Sequence, residues 1–132
     1  MTTLVFVHGA CVRDADWWWS QMTHPLDARG VATVAVALPS CGETGATLGD
    51  LYDDVQACRE AIAEVDGPVV PCGHSYGGMI ITEAGADDRV AKLLYVTSVM
   101  PDAGQSRPIS WAQSQRRGCS RARPAPSASI PT

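Results

Sequence analysis

The sequence predicts an α/β fold in which a parallel sheet is flanked by helices on both faces. Four short, β-branched apolar segments alternate along the chain with segments of helical periodicity. The strand segments are apolar at nearly every position, as expected of strands that are buried on both faces of a sheet. With 132 residues and 45% hydrophobic content, the chain is long enough for one globular domain of modest size.

The predicted elements follow one another in regular order. We expect strands over residues 3–7, 31–37, 69–72 and 93–97. Helices are predicted over residues 17–28, 48–65 and 76–86, and Gly30 and Gly67 end the first two. Pro71 lies inside the third strand and has no N–H to donate, so we expect only Val69 and Val70 to pair and Pro71 to distort the strand locally.

The composition changes near Gln105. Residues 107–132 contain five of the ten Lys and Arg residues and no Asp or Glu. We therefore predict a partial domain over residues 1–105 and a basic tail over residues 106–132, which is disordered because it has too few apolar residues to offset ordering. The abrupt change is typical of a chain whose original continuation was replaced, for example by a frameshift, and an interaction arm is the alternative.

Charge, hydropathy and cysteine content exclude several classes. A net charge of -4 gives no support for binding to nucleic acid or to an anionic membrane. No apolar run approaches the roughly 20 residues of a membrane span, and MTTLVFVHGA lacks a signal-peptide pattern, so a cytoplasmic protein is expected. We expect neither a cofactor nor a metal, and we expect reduced, ordinary thiols at Cys11, Cys41, Cys58, Cys72 and Cys119.

The segment VVPCGHSYGGMIITEAG, residues 69–85, carries the chemistry. Ser75 stands between a predicted strand and a predicted helix, with Gly73 two residues before it and Gly77 two residues after it. Glycines at these positions remove clashes from a tight reversal of the chain. Such a G-x-S-x-G turn, the nucleophile elbow, holds a hydroxyl at a helix N-terminus, where the N–H groups favour developing negative charge. The pattern predicts Ser75 as a nucleophile.

Two motifs at the expected separation resemble the α/β-hydrolase superfamily: LVFVHGA at residues 4–10 and GHSYGG at residues 73–78. The tryptophans at 17–19 and LYVTSVMPDAG after the fourth strand resemble compact bacterial esterases related to plant salicylate methylesterases and hydroxynitrile lyases. We expect this similarity over residues 3–105, as the N-terminal half of the hydrolase fold, and we expect it to stop there.

The resemblance implies a reaction and a set of roles. Ser75 would attack a small carboxylic ester, and the backbone N–H groups of Ala10 and Tyr76 would stabilise the oxyanion that forms. The residues that would support the two motifs are His8, Gly9, Gly73 and Gly77.

The sequence departs from this family where the base and the acid are expected. The family order is Ser, then Asp or Glu, then His, yet no histidine follows His74. We assign His74 to packing, His24 to the surface, and Asp102, the acidic residue after the fourth strand, to a surface turn. Impaired activity is expected. The alternatives are a non-catalytic remnant or binding module, and a hydroxynitrile lyase on the same scaffold.

Three further features have structural interpretations. The tryptophans at 17–19 are predicted to pack against the sheet, with an acyl pocket as the alternative. Cys11 either shapes the pocket or is incidental, and residues 39–42 are predicted as a loop only. The flank of the sheet beyond residues 93–97 is expected to be exposed and to promote self-association.

Overall fold

The computed structural model describes residues 1–43, 45 and 48–101. These residues belong to one compact unit that spans Met1–Asp102. The predicted tail, Asp102 and Cys119 lie outside the described residues.

The described chain forms a four-stranded parallel sheet with the strand order β2-β1-β3-β4. The strands are β1 (Thr3–Val7), β2 (Thr33–Val36), β3 (Val69–Ser75) and β4 (Leu94–Ser98). The helices are α1 (Ala15–Asp27), α2 (Leu51–Ala63) and α3 (Gly77–Ala84), and a 3₁₀ turn spans Pro39–Cys41. The predicted parallel sheet is confirmed. Residues 39–42, predicted as a loop only, include this 3₁₀ turn.

Each face of the sheet has its own apolar core, because successive side chains of a strand point to opposite faces. On one face Phe6, Trp19 and Cys72 pack together, so α1 covers that face. The other face is covered by α2 and α3, and its core includes Val5, Val7, Val36, Val55, Ile62, Ile80 and Ile81. The prediction of helices on both faces is confirmed. Among the described residues, no helix is long and apolar enough to cross a membrane.

The third strand differs from its prediction. It extends to Ser75 and pairs with β1 as far as Gly73, so the expectation that the strand ends at Cys72, with pairing confined to Val69 and Val70, is wrong. Pairing with β1 through Gly73 keeps the end of β3 in line with the end of β1.

Pro71 is tolerated inside β3 because of the direction in which its nitrogen points. Backbone groups of a parallel strand point alternately to its two neighbours. The N–H of Val69 donates to the carbonyl of Arg89, on the β4 side, at 2.9 Å. The nitrogen of Pro71, two residues later, therefore faces that side as well. Regular pairing of β3 with β4 begins only at Cys72 and Leu94. The missing donor therefore falls beside an unpaired part of the neighbouring chain.

Side-chain caps set the starts of α1 and α2. The carboxylate of Asp14 accepts a hydrogen bond from the Trp17 N–H at 2.8 Å, and α1 begins directly after it. Asp50 and Asp53 form a reciprocal capping box at the start of α2. The two helices therefore begin at 15 and 51, where a cap satisfies free N–H groups, and the predicted starts at 17 and 48 are wrong.

The strand order places a topological switch between β1 and β3. From β1 the chain proceeds to β2 on one side, and it then returns to β3 on the other side of β1. In open α/β sheets the crevice at the carboxyl ends of such strands is the usual position of a ligand site. His8, Gly9 and Ala10 follow β1, and Ser75 ends β3. The topology brings both sequence motifs to this one edge.

Candidate active site

Ser75 has a left-handed backbone, with a φ of 52°. This conformation is uncommon for a residue with a Cβ and often marks a functional site. The serine is the last residue of β3, and α3 begins two residues later, at Gly77. The chain therefore reverses direction at Ser75, as the predicted elbow requires.

The flanking glycines are needed because neighbouring backbone occupies the space of their missing side chains. A Cβ on Gly73 would lie 2.7 Å from the carbonyl carbon and oxygen of Gly77. A Cβ on Gly77 would collide with the carbonyl oxygen of Val7 and would lie 2.9 Å from that of His8. This crowding supports the steric role predicted for both glycines, and their role in the motif stays a prediction.

The loop after β1 approaches the nucleophile closely at Gly9. A Cβ on Gly9 would lie 3.1 Å from the Cβ of Ser75 and 3.5 Å from its Oγ. The HGA and GHSYG motifs are thus adjacent in space, although Ser75 lies 65 positions after Ala10 in the sequence. A side chain at position 9 would crowd the serine hydroxyl.

The two predicted oxyanion donors occupy suitable backbone positions. Tyr76 directly precedes α3 in helical conformation and receives no side-chain cap, so its N–H lies at the helix N-terminus. Ala10 follows Gly9 and precedes Cys11, whose φ is 69°. Among the backbone hydrogen bonds of the described turns, loops and caps, none is donated by the N–H of Ala10 or of Tyr76. Their role in stabilising an oxyanion stays a prediction.

His8 is fully buried beneath this loop. Its Nδ1–H donates to the Gly9 carbonyl at 2.8 Å, and its Nε2 lies 3.7 Å from Oε2 of Glu43. The other carboxylate oxygen of Glu43 accepts the N–H of Ala15 at 2.8 Å, at the start of α1. These contacts tie the loop after β1 to α1, and the motif-supporting role of His8 stays a prediction.

His74 and two of the tryptophans lie together on the α1 face. The His74 ring is 5.9 Å from that of Trp18 and 6.4 Å from that of Trp19. This agrees with the predicted packing role. Trp19 is buried against Phe6, whereas Trp17 is 71% exposed and Trp18 is 41% exposed. The prediction that all three tryptophans pack against the sheet is therefore wrong for Trp17 and only partly right for Trp18.

Trp18, Trp19 and His74 also line a groove of about 480 Å³. Met22, Leu26 and Val96 are among its other lining residues, and Ser75 is not. The groove is apolar and lies beside the elbow. Because Ser75 does not line it, the groove does not contain the reacting hydroxyl.

Each of the three histidines has a position other than that of a base. His8 is held by Gly9, His74 packs on tryptophans, and His24 is exposed on α1, as predicted. Among the described residues, no side chain forms a hydrogen bond with the Ser75 Oγ. The nucleophile thus has no general base within the described part of the chain.

A buried carboxylate that the sequence did not reveal lies behind the elbow. Asp54, on α2, is fully buried. Its Oδ2 accepts the Tyr76 hydroxyl at 2.8 Å and the Ser40 hydroxyl at 2.5 Å, and its Oδ1 accepts the Ser40 N–H at 2.9 Å. Burial, followed by the hydrogen bond to Asp54, raises the pKa of Tyr76 well above its usual value. The tyrosine hydroxyl is therefore a stable donor.

A sequence signal for Asp54 exists in retrospect. The buried residues of α2 include Cys58 and Ile62, four and eight positions after Asp54. An acidic residue on this apolar stripe must be hydrogen-bonded inside the protein, because burial of an unpartnered carboxylate is too costly.

The end of β4 holds the carbonyl group of the nucleophile. The Oγ of Ser98 and the N–H of Val99 donate to the Ser75 carbonyl at 2.9 and 3.1 Å. The register between β3 and β4 shifts at this point, and Thr97 has a φ of 44°. The irregularity re-aims Ser98 toward the elbow.

The described cysteines are unpaired. Burial raises the pKa of Cys58 to about 12 and that of Cys72 to about 11. Both are therefore protonated thiols at neutral pH. Within the described residues, no group of His, Cys, Asp and Glu side chains could hold a metal ion. Cys11 is exposed beside Ala10, and no contact in the described chain gives it a role in the pocket.

Comparison with known proteins agrees with this geometry. The model of the alpha/beta hydrolase family matches residues 4–131. The match extends past residue 105, so the expectation that similarity stops there is wrong for the family model.

The curated relatives include esterases. The chain is 32% identical to methylesterase 8 of Arabidopsis thaliana, over 77% of this chain and 39% of the relative. It is 36% identical to a carbendazim hydrolyzing esterase of Nocardioides sp. (strain SG-4G), over 80% of this chain and 46% of the relative. The chain thus spans about two fifths of the length of the curated relatives that it matches.

Solved structures share the fold. A pyrethroid hydrolase from Sphingobium faniae JZ-2 matches with a TM-score of 0.63 and 28% identity, over 74% of this chain and 40% of that one. Polyneuridine aldehyde esterase matches with a TM-score of 0.72 over 88% of this chain and 48% of that one. At 23% identity the second likeness concerns the fold alone.

Proposed function

The chain belongs to the alpha/beta hydrolase family, and from this we propose that it is a serine hydrolase that cleaves a small carboxylic ester through an acyl intermediate on Ser75. Relatives that are named esterases support this class of substrate. We expect impaired activity of this chain, because its three histidines, His8, His24 and His74, all have positions other than that of a base.

One observation carries the proposal: Ser75 holds a left-handed backbone at the end of a parallel strand, between two glycines that have no room for a Cβ. A structural serine in a turn does not require this arrangement. An attacking hydroxyl does, because it must stand clear of the sheet and face a helix N-terminus.

The reaction begins when the Ser75 Oγ attacks the ester carbonyl carbon. The carbonyl oxygen takes up negative charge, which the N–H groups of Ala10 and Tyr76 stabilise. The ester C–O bond then breaks, the leaving alkoxide takes a proton from solvent, and the acyl-serine remains. Two aimed backbone donors lower this barrier by several kcal/mol in total. Water subsequently hydrolyses the acyl-serine and restores the hydroxyl.

Solvent must accept the serine proton, since each histidine in the sequence has another position. In related triads, loss of the base leaves a residual acceleration of about 10³ to 10⁴ over water, from the oxyanion hole and binding. We expect this chain to react in that slow regime.

A binding module without turnover is the competing function, and the same absence of a positioned base favours it. In that case the chain keeps the elbow conformation, but Ser75 does not react. The two functions differ in one measurable property, the reactivity of Ser75 toward an electrophile.

Intact-mass spectrometry after long incubation with a fluorophosphonate tests the proposal. We expect slow addition of one phosphonyl group, located on Ser75 by peptide mapping, and no addition to Ser75→Ala. Ser98 and Ser40 provide an internal comparison, because both are hydrogen-bonded serines near the elbow. Labelling spread evenly over several serines, or none at all, would overturn the proposal and favour the binding module.

We also propose a cytoplasmic location and no nucleic-acid or membrane partner. The unpaired state of the four described cysteines fits a reducing compartment. The net charge of -4 gives no electrostatic attraction to polyanions.

A further inference from the structure

We propose that Asp54 is a positioning residue of the site: through the Tyr76 side chain it fixes the backbone N–H that follows the nucleophile. This inference rests on the proposed function, in which that N–H is an oxyanion donor. It adds a residue from α2, outside both sequence motifs, to the machinery of the elbow.

The hydrogen bonds of Asp54 connect α2 to the turn that follows Ser75. Its carboxylate is fully buried, and its three hydrogen-bond donors come from Ser40 and Tyr76. Ser40 lies in the 3₁₀ turn after β2, whereas Tyr76 lies between β3 and α3. One carboxylate thus joins three separate elements at the back of the elbow.

The backbone and the side chain of Tyr76 have different roles. The backbone N–H lies at the free N-terminus of α3, while the hydroxyl is tied to α2 at 2.8 Å. Asp54 is fully buried and accepts this bond in a fixed geometry, and hydrogen bonds to carboxylates are among the short and strong ones in proteins. The side chain therefore restrains the rotation of the peptide unit that carries the donor.

The orientation of this peptide unit determines how well its N–H can stabilise the oxyanion. An oxyanion donor acts only when it points to the position that the oxyanion will occupy, and removal of one donor lowers the rate about 10² to 10³-fold. A donor that is present but loosely held should lose a part of this factor, about tenfold.

The test compares Tyr76→Phe with Tyr95→Phe. Each substitution removes one half-buried tyrosine hydroxyl that makes a side-chain hydrogen bond, to Asp54 at 2.8 Å or to Thr82 at 2.7 Å. Tyr95 lies on β4 and has no contact with the peptide unit after Ser75 among its hydrogen bonds. It is therefore a matched control for the general cost of the lost bond.

The first readout is the rate of fluorophosphonate labelling at Ser75 as a function of probe concentration. In this step the Oγ–P bond forms, the P–F bond breaks, fluoride leaves and solvent takes the hydroxyl proton. We expect Tyr76→Phe to lower the maximal labelling rate about tenfold with little change in the half-saturating concentration, and Tyr95→Phe to change neither. Equal maximal rates for the two variants would overturn the proposal.

The second readout does not depend on reactivity. The Met79 N–H donates to the Tyr76 carbonyl at 3.0 Å in the first turn of α3, so its hydrogen exchange reports how firmly Tyr76 is held. We expect faster exchange at Met79 in Tyr76→Phe and in Asp54→Asn, but not in Tyr95→Phe. Unchanged exchange in a folded Tyr76→Phe variant would overturn the proposal.

The two readouts separate the two claims. An unlabelled native chain would refute the proposed function, and the exchange at Met79 would still decide whether Asp54 positions the elbow. Faster exchange without a change in the labelling rate would overturn the positioning role in the reaction.

Discussion

Ser75 is held in a backbone conformation that costs the folded chain roughly 1–2 kcal/mol. The surrounding residues offset this cost. Two donors from the end of β4 bind its carbonyl, and the Tyr76 side chain is fixed to Asp54. Such strain persists only where neighbouring contacts determine it, which is typical of active sites.

The Gly77→Ala substitution tests the steric basis of the elbow. Alanine is the better helix former by about 1 kcal/mol, so helix propensity alone predicts stabilisation at this first position of α3. The added Cβ would instead collide with the Val7 carbonyl oxygen and crowd that of His8, which belong to the backbone of β1 and its loop. We expect the clash to prevail and to lower the free energy of unfolding by about 3 kcal/mol.

Urea denaturation measures this effect, with Gly30→Ala as the control. Gly30 has a φ of 75° and no atom near its missing Cβ, so only backbone strain applies there. Its expected cost is about 1 kcal/mol. A cost at Gly77 no greater than that at Gly30 would contradict the steric role of the elbow glycines.

At the residue scale, the sequence predicted the nucleophile motif but not its support. The glycines flanking Ser75 are recognisable from their local spacing, although the clash that Gly77 avoids is with the distant backbone of Val7 and His8. The partnership of Asp54 with Tyr76 joins residues 22 positions apart. No periodicity encodes that distance, since it depends on how α2 packs beside α3.

At the scale of elements, β4 acts as a clamp on the turn between β3 and α3. Its end lies so close to α3 that a Cβ on Gly78 would collide with the Ser98 hydroxyl and the Val99 carbonyl. The register shift opposite Ser75 brings both donors of this clamp to one carbonyl group. The strand thereby stabilises the elbow and not only the sheet.

Removal of one donor should weaken this clamp measurably. Ser98→Ala deletes the hydroxyl that binds the Ser75 carbonyl at 2.9 Å. We expect the free energy of unfolding to fall by about 1 kcal/mol, and fluorophosphonate labelling at Ser75 to slow, because the strained conformation loses support.

Ser20→Ala is the matched control for this change. Its hydroxyl also donates to a backbone carbonyl, that of Trp17 at 2.7 Å, but on the exposed side of α1. We expect a loss below about 0.5 kcal/mol and no effect on labelling. Equal losses in both variants would contradict a specific clamp.

The identity of every predicted strand and helix was correct, whereas several ends were not. Val31 was expected in β2, yet its N–H donates to the Leu26 carbonyl and closes the end of α1. The start of α2 moved to residue 51 because Asp50 forms a cap. Apolar patterns predict the middle of an element, while side-chain hydrogen bonds determine its ends.

At the scale of the whole molecule, strand order could not be predicted from apolar patterns, because four buried strands can be ordered in several ways. The observed order sets β1 and β3 side by side and brings the HGA loop to Ser75. It also leaves β4 with one strand partner, β3, among the described residues.

The β4 edge predicts self-association of the chain. An edge strand presents unpaired N–H and C=O groups that can pair with another chain. Leu94 on this strand is 48% exposed and Met100 just beyond it is 71% exposed, so apolar side chains accompany backbone groups that have no strand partner among the described residues. We expect a dimer or a larger aggregate in size-exclusion chromatography with light scattering, and a broad thermal transition.

Leu94→Lys should shift this equilibrium toward monomer, because a lysine on an edge strand opposes pairing with a second edge. Leu48→Lys is the control: it makes the same change of charge at a residue that is 68% exposed and lies before α2, away from the sheet edge. If both variants raise the monomer fraction equally, net charge and not the edge controls association. A sharp melt from a 14.0 kDa monomer of the unsubstituted chain would contradict self-association altogether, because the β4 edge would then not recruit a second copy.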